Sequence, residues 1–177
     1  MQVPDTYVSS VLIILPHELQ AKLMPLMYQL APDTVRNFTA HITVLYPFVP
    51  LDELDAACET LTQVLVDVSP FEITLKDFTR HDDVIFMNPV ETAPIRAVRR
   101  KIMDAFPNIK PYEGAFGLDP EPHVTIASFK SPDEQIAIEL PEFHPMTFMV
   151  NRLHVNSGLP RTGLPWITHD VIRLRGD

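Results

Sequence analysis

The chain carries one short pattern twice, at positions far apart. Residues 40–45 read Ala-His-Ile-Thr-Val-Leu, and residues 122–127 read Pro-His-Val-Thr-Ile-Ala. Short runs of β-branched and aliphatic residues predict strands. Residues i and i+2 of a strand point to the same face, about 7 Å apart. Each copy therefore places an imidazole beside a hydroxyl on one face and turns its aliphatic residues toward a core; the two pairs are His41 with Thr43 and His123 with Thr125.

The context of the two copies favours a shared site. The chain has 7 histidines, so one chance His-x-Ser/Thr is expected, and two are unsurprising by number alone. A single histidine on an apolar strand is usually a packed core residue. Here both copies stand in the same register, lie close to proline and contain no charged residue. We therefore interpret them as two strands that line one site.

Composition limits the class of partner. The net charge of −9 and the pI near 5.1 argue against a basic groove for long nucleic acid, although a small phosphate ester can still occupy a local pocket. Cys58 is the single cysteine, so the chain has no internal disulfide. No Cys/His spacing typical of zinc occurs. We expect neither a metal nor a cofactor.

Export and membrane signals are lacking in the sequence. The first residues do not combine a basic stretch with an apolar core, so no signal peptide is predicted. The longest apolar run, residues 11–15, is far shorter than the roughly 20 residues that span a bilayer. We expect a cytoplasmic monomer with no membrane partner.

Apolar periodicity predicts an α+β fold. We expect helices at 17–30, from 51, at 93–106 and at 132–140, and strands at 7–15, 40–45, 71–78, 84–90, 122–127, 143–155 and 166–174. Each half of this order holds a helix, a His-x-Thr strand, another helix and a strand pair. The repeat predicts a single two-lobed domain over residues 1–177. Its two similar lobes would each contain an antiparallel β-sheet and helices, with the site in the cleft between them.

Helix 93–106 carries a basic run. We interpret this run as a solvated face without a functional role; it comprises Arg96, Arg99, Arg100 and Lys101.

Further candidate ligand contacts lie outside the two motifs. The proline- and glycine-rich loop 107–122 delivers the second His-x-Thr strand, so its Tyr112 and Phe116 are candidates to stack on a substrate ring. Arg152 and Arg161 are candidates to reach a phosphate.

The paired motifs suit acid–base chemistry at phosphorus. Two histidines can serve as one general base and one general acid near neutral pH. Two hydroxyls can donate hydrogen bonds to an anion that gains charge in the transition state. A serine triad would need a nucleophile elbow, and no Gly-x-Ser-x-Gly occurs. A P-loop and a Gly-rich dinucleotide fingerprint are also absent from the sequence.

The chain resembles the two-histidine phosphoesterase superfamily, in particular its 2′-5′ RNA ligase-like branch. The likeness begins with the two His-x-Thr motifs. Phe106-Pro107, residues 111–116 (Pro-Tyr-Glu-Gly-Ala-Phe) and residues 121–127 (Glu-Pro-His-Val-Thr-Ile-Ala) resemble that family's approach to its second motif. Residues 152–155 (Arg-Leu-His-Val), with Trp166 beginning the next strand, resemble its closing hairpin.

The resemblance implies a bilobal fold with a duplicated αβ half and an open cleft. It implies His41 and His123 as the paired catalytic histidines, and Thr43 and Thr125 as phosphate-binding hydroxyls. Tyr46 and Phe48 follow the first motif, where the family often has an aromatic residue, and are further candidates for substrate contact.

The predicted function is metal-independent hydrolysis of a 2′,3′-cyclic phosphate, or of a related cyclic or 2′-5′-linked nucleotide. The expected partner is a small nucleotide or an RNA end that bears a cyclic phosphate. Two alternatives stay open: a non-catalytic nucleotide-binding module, and an RNA 2′-5′ ligase that runs the same chemistry in reverse. The sequence does not assign the base and the acid between the two histidines.

Overall fold

The computed structural model of the protein describes residues 7–32, 38–159 and 164–176. Within these ranges the helices are α1 (His17–Leu30), α2 (Leu54–Val64), α3 (Ala93–Ala105) and α4 (Pro132–Ile136), with 3₁₀ turns at Leu51–Glu53 and Pro111–Gly114. The strands there are β1 (Val8–Ile14), β2 (His41–Leu45), β3 (Phe71–His81), β4 (Val84–Pro89), β5 (Val124–Ser128), β6 (Met146–Val150), β7 (Arg152–Gly158) and β8 (Ile167–Arg173). The predicted α+β class is confirmed.

The described strands form two antiparallel sheets. The first sheet has the order β2-β1-β7-β8, and the second has the order β5-β4-β3-β6. The lobes therefore interleave along the chain, because β7 and β8 join the sheet that β1 and β2 begin, while β3 and β4 join β5. The prediction of two sheet-bearing lobes is confirmed, but the lobes do not correspond to the two halves of the chain.

Each sheet contains the same strand–helix–strand unit. In β1-α1-β2 and in β4-α3-β5, the helix connects two strands that are antiparallel neighbours. β2 and β5 are the edge strands of their sheets, and they contact each other where the two sheets meet. The duplicated unit thus brings the two His-x-Thr segments side by side.

Burial along the edge strands follows the predicted alternation. In β2, Ile42 and Val44 are buried in the core, whereas His41 and Thr43 are half-buried on the opposite face. β5 shows the same alternation, with Thr125 half-buried between two buried aliphatic residues. One face of each strand therefore supports the fold and the other is available for a site.

One hydrophobic cluster includes residues from both sheets and from the first three helices. α1 contributes Leu19, Leu23 and Met27 at helical spacing, and it continues through Pro25 without a break. No helix in the described parts of the chain combines the length and the apolar character required to cross a membrane.

The largest differences from the predicted bounds occur in three elements. The strand predicted at 143–155 is two strands, because the chain passes from the second sheet to the first at Asn151, between β6 and β7. β3 continues to His81, beyond the predicted end at residue 78, and the reversal is confined to Asp82 and Asp83. The helix predicted at 132–140 ends at Ile136.

Gly158 packs directly against the indole of Trp166. A Cβ atom built on Gly158 would lie 2.5 Å from both Cγ and Cδ1 of Trp166. Because this distance is far shorter than van der Waals contact, a side chain here must displace the indole or the strand. Overpacking of this kind destabilises by typically about 1–3 kcal/mol.

We expect Gly158→Ala to lower the free energy of unfolding by about 1–3 kcal/mol, measured by urea denaturation. The matched control is the same substitution in a Trp166→Leu protein, where the smaller side chain leaves room and the loss should fall by at least about half. Equal losses in the two backgrounds would contradict this packing.

Candidate active site

The two histidines are held by matching hydrogen bonds. Nδ1 of His41 lies 2.7 Å from the carbonyl oxygen of Thr39, and Nδ1 of His123 lies 2.9 Å from that of Glu121. A carbonyl oxygen only accepts, so Nδ1 carries the proton in both rings. In the neutral ring, Nε2 is then unprotonated and able to take a proton from a ligand. The residue two positions before each histidine therefore fixes the tautomer.

His41 lies close enough to His123 for the charge of His123 to affect the pKa of His41. Burial lowers the pKa of His41 below the ordinary value of 6.5; the hydrogen bond to Thr39 opposes this shift, and His123 adds to it. In agreement with this, β2, which begins at His41, contacts β5, which begins one residue after His123. At neutral pH, His41 is therefore an unprotonated base beside a second histidine.

Thr43 shares its surroundings with Tyr112. The two side chains interact, although burial is the main influence on Tyr112 and raises the pKa of its phenol, against opposing effects of Thr43 and Arg99. The phenol thus keeps its proton at neutral pH and can donate a hydrogen bond. Tyr112 and Glu113 both have positive φ, at 48° and 55°, which is uncommon for residues other than glycine. This loop conformation brings Tyr112 against the predicted phosphate-binding residue.

An aromatic wall, defined as Phe38, Tyr46 and Trp166, borders the site on the His41 side. The ring centroid of Phe38 lies 5.2 Å from that of His41 and 4.6 Å from that of Trp166. The ring of Tyr46 lies 6.2 Å from that of Trp166. The predicted candidate Tyr46 is therefore part of the site's border.

The other aromatic candidates divide between the site and the core. Phe116 is 67 % exposed, and its ring lies 5.4 Å from that of Tyr112, which places it at the outer rim. Phe48 is buried and packs edge-on against Phe106, with ring centroids 5.0 Å apart. The prediction of a substrate contact by Phe48 is therefore wrong, because its apolar ring is used by the core.

Arg152 lies on β7, on the sheet face that carries His154, and is exposed. Burial lowers the pKa of His154, and the charge of Arg152 lowers it further. Nε of Arg152 donates to Oδ1 of Asn151 at 3.1 Å. Its prediction as a phosphate contact stays a prediction, and Arg161 lies outside the described residues.

Arg99 corrects the interpretation of α3 as a helix with a purely solvated basic face. Its side chain is only 2 % exposed. Nε donates to the carbonyl of Val44 at 2.8 Å, while Nη1 donates to Oδ1 of Asp119 at 3.0 Å and to the carbonyl of Pro120 at 2.5 Å. One guanidinium therefore connects edge strand β2 to the segment that leads into His123.

The fourth residue of each unit's helix holds the segment before its histidine. In α1, Nε2 of Gln20 donates to the carbonyl of Ala40 at 2.7 Å, and its Oε1 accepts from the Ala40 N–H at 2.9 Å. In α3, Nη1 of Arg96 donates to the carbonyl of Asp119 at 3.0 Å, and its guanidinium pairs with Glu121. Both histidines are thus positioned by a polar side chain from their own helix.

The burial of Arg99 could have been predicted from its spacing in the sequence, although its charge suggested an exposed side chain. Arg99 stands four residues after Ile95 and three before Ile102, on the buried stripe of α3. Such a position predicts burial by periodicity. No comparable local signal marks Phe38 and Trp166, which meet only in the folded chain. Among the described residues, no group of three or more His, Cys, Asp or Glu side chains is arranged to hold a metal ion.

Two antiparallel sheets that bring together a pair of His-x-Thr segments define the class of two-histidine phosphoesterases. The family model of the 2′-5′ RNA ligase superfamily matches residues 15–158, and the chain belongs to this superfamily. No curated protein matches the chain significantly.

Solved structures share the fold over nearly their whole length. The protein TT0787 of Thermus thermophilus has 18% identity and a TM-score of 0.64, with 96% of this chain and 99% of that chain covered. A protein described as a phosphoesterase has 15% identity and a TM-score of 0.67, with 95% and 98% covered. E. coli LigT, crystallised with NADP+, has 14% identity and a TM-score of 0.66, with 97% and 99% covered. At these identities the likeness concerns the fold alone.

We expect Arg99→Met to lower the free energy of unfolding by about 2–4 kcal/mol, because hydrogen bonds to charged groups contribute about 1.5–3 kcal/mol each and two carbonyls lose their donor. Urea denaturation measures the change. The exposed neighbour provides the control, since Arg100→Met should stay within about 0.5 kcal/mol of wild type. Similar losses for the two variants would contradict a bridging role for Arg99.

Proposed function

We propose that the protein is a phosphodiesterase that opens 2′,3′-cyclic phosphates of small nucleotides or of RNA ends. His41 and His123 act as the acid–base pair, and Thr43 and Thr125 bind the phosphate. Residues 1–177 work as one two-lobed unit. The observation that carries the proposal is the pairing of two neighbouring imidazoles whose Nδ1 atoms are both held by backbone carbonyls, so that both Nε2 atoms are available for proton transfer.

The reaction needs a base on one side of the phosphorus and an acid on the other. Nε2 of the base removes a proton from water as the water oxygen bonds to phosphorus. The bond from phosphorus to one ribose oxygen breaks, and the Nε2–H of the acid protonates that oxygen. Hydroxyls of Thr43 and Thr125 donate to the non-bridging oxygens, where negative charge increases. The histidines have then exchanged protonation states, and solvent restores them.

We assign the base role to His41 and the acid role to His123. The lowered pKa of His41 keeps its Nε2 unprotonated at neutral pH, as a general base requires. The aromatic wall beside it supports the burial that lowers this pKa.

Small nucleotides are the substrate class that the site supports best. E. coli LigT, which has the same fold, was crystallised with 3′-AMP, with ATP and with NADP+. The net charge of −9 disfavours long RNA, whose binding depends on neutralising many phosphates. The aromatic wall offers ring surfaces next to the phosphate position.

We expect His41→Gln and His123→Gln each to lower the turnover of adenosine 2′,3′-cyclic phosphate by about 10²–10⁴-fold, because each removes one proton-transfer group. Phosphorus NMR measures the product, and circular dichroism checks the fold. The exposed His144 provides the control, as His144→Gln should keep full activity. Turnover should persist in EDTA.

Two outcomes would redirect the proposal. Wild-type turnover in both histidine variants would remove the acid–base roles. Binding of 3′-AMP without turnover of any cyclic phosphate would instead favour a nucleotide-binding module.

The lowered pKa of His41 also predicts pH dependence. The acidic limb of kcat/KM should lie below pH 6.5, because His41 stays unprotonated to lower pH than an ordinary histidine. For stability, the unfolded chain takes up this proton first on acidification. The contribution of His41 is therefore complete above about pH 6.5 and declines as the pH falls toward the folded-state pKa.

A proton NMR titration of the His41 ring measures this pKa directly. His123→Gln should raise it, since a positive neighbour is lost, yet leave it below 6.5 because burial is the larger cause. A wild-type value at or above 6.5 would contradict the assignment of His41 as the base.

A further inference from the structure

Three buried polar atoms near the site have no hydrogen-bond partner in the described structure. They are Oγ of Ser10, Oδ1 of Asn156 and Nε1 of Trp166. Ser10 is 2 % exposed and Asn156 is 8 % exposed. Buried polar atoms in native proteins are nearly always paired with protein or water, and each exception needs a reason.

Strand register places two of these atoms on the face of the first sheet that carries the site. Ser10 pairs with Asn156 across β1 and β7. Leu12, two residues along β1, is the partner of Thr43 in β2. The pairing of β1 with β2 shifts between Val11 and Leu12, but the extra residue, Val44, lies on β2. Alternation along β1 is therefore kept, and Ser10, Asn156 and Thr43 lie on the same side of the sheet. From strand spacings, the Cα atoms of Ser10 and Thr43 lie roughly 8 Å apart.

The third atom belongs to a side chain that flanks the same place. Asn156 and Gly158 point to one face of β7, and the Trp166 indole lies against Gly158 on that face. Trp166 also contacts Phe38, which contacts His41. The three atoms, called the polar patch below, therefore lie on one face of the sheet, with the indole of the aromatic wall packed against β7.

We propose that Ser10, Asn156 and Trp166 are the base-recognition subsite of the enzyme, which pairs with the hydrogen-bonding edge of a nucleobase. This inference rests on the proposed function, because the phosphate of the same nucleotide lies between the two histidines. The indole N–H only donates, the Asn156 Oδ1 only accepts, and the Ser10 hydroxyl does both. A nucleobase edge presents acceptors next to donors, so it can satisfy all three atoms, whereas an inorganic phosphate presents mainly acceptors.

Binding at this patch must move Trp166. The three atoms are buried, so a base reaches them only when a neighbouring side chain shifts. The Trp166 indole both carries one of the atoms and lies against Gly158, two residues from Asn156. Trp166 is the single tryptophan of the chain. Intrinsic tryptophan fluorescence therefore reports on this subsite alone.

The experiment titrates the full chain with 3′-AMP, ribose 5-phosphate and inorganic phosphate. We expect 3′-AMP to change the Trp166 fluorescence and the two base-free ligands to leave it nearly unchanged. Ser10→Ala and Asn156→Leu should each weaken 3′-AMP binding by about 2- to 10-fold, the effect of one hydrogen bond, while calorimetry shows unchanged affinity for inorganic phosphate.

A matched pair of serines separates recognition from folding. Ser9, the neighbour of Ser10 on the opposite face, donates to the carbonyl of Val49 at 2.6 Å and accepts from the Val49 N–H at 3.0 Å. Ser9→Ala should therefore lower the Tm by a few degrees and leave nucleotide binding intact. Ser10→Ala should keep or raise the Tm, because it removes an unpaired buried hydroxyl.

The proposal is overturned if the Ser10 and Asn156 variants bind 3′-AMP like wild type, or if they weaken 3′-AMP and inorganic phosphate equally. Its failure is distinct from that of the proposed function. Base-dependent binding without turnover of a cyclic phosphate would support the subsite and contradict the proposed enzyme activity. Turnover that does not depend on these residues would support the activity and contradict the subsite.

Discussion

The buried guanidinium of Arg99 is the interaction on which the geometry of the site depends. Edge strand β2 offers the Val44 carbonyl, and the segment before His123 offers the Pro120 carbonyl and the Asp119 carboxylate; Arg99 donates to all three. The proposed acid–base chemistry requires its groups at a well-defined spacing. The guanidinium of Arg99 is planar and charged, and its donors cannot all be satisfied unless both segments are in place. It is therefore suited to fix that spacing.

Duplication and asymmetry both contribute to the proposed chemistry. The duplicated strand–helix–strand unit supplies two histidines with the same tautomer, each fixed by a carbonyl two residues earlier. Their surroundings differ, since the half-buried His41 lies beside the aromatic wall, whereas His123 contacts Phe86 with ring centroids 5.6 Å apart. Two groups of one kind in two environments can take different roles, as a base and an acid must.

Local patterns predicted the elements well and their long-range arrangement less well. Alternation in β2 and helical spacing in α1 are contained in nearby residues, so strand and helix could be read directly. The assignment of β7 and β8 to the first sheet depends on pairing over more than a hundred residues, and the sequence carries no marker of it. Asn151 shows the limit clearly, because one residue separates strands of different sheets inside what looks like a single apolar run.

The same distinction applies to the site. The His-x-Thr pairs were visible because each is contained in three residues. Phe48 was misjudged because an aromatic residue after a motif can turn either to the site or to the core, and only packing decides. Arg99 was misjudged because charge was given more weight than its place on a buried stripe.

Interleaved strands also determine when the site can form during synthesis. β1 and β2 leave the ribosome before the other described strands, but their sheet is completed only by β7 and β8, which end at Arg173. A two-stranded pair is marginally stable on its own, so β2, which carries His41, lacks a stable sheet until β7 is made. The candidate site can therefore form only after the residues of β8 have left the ribosome.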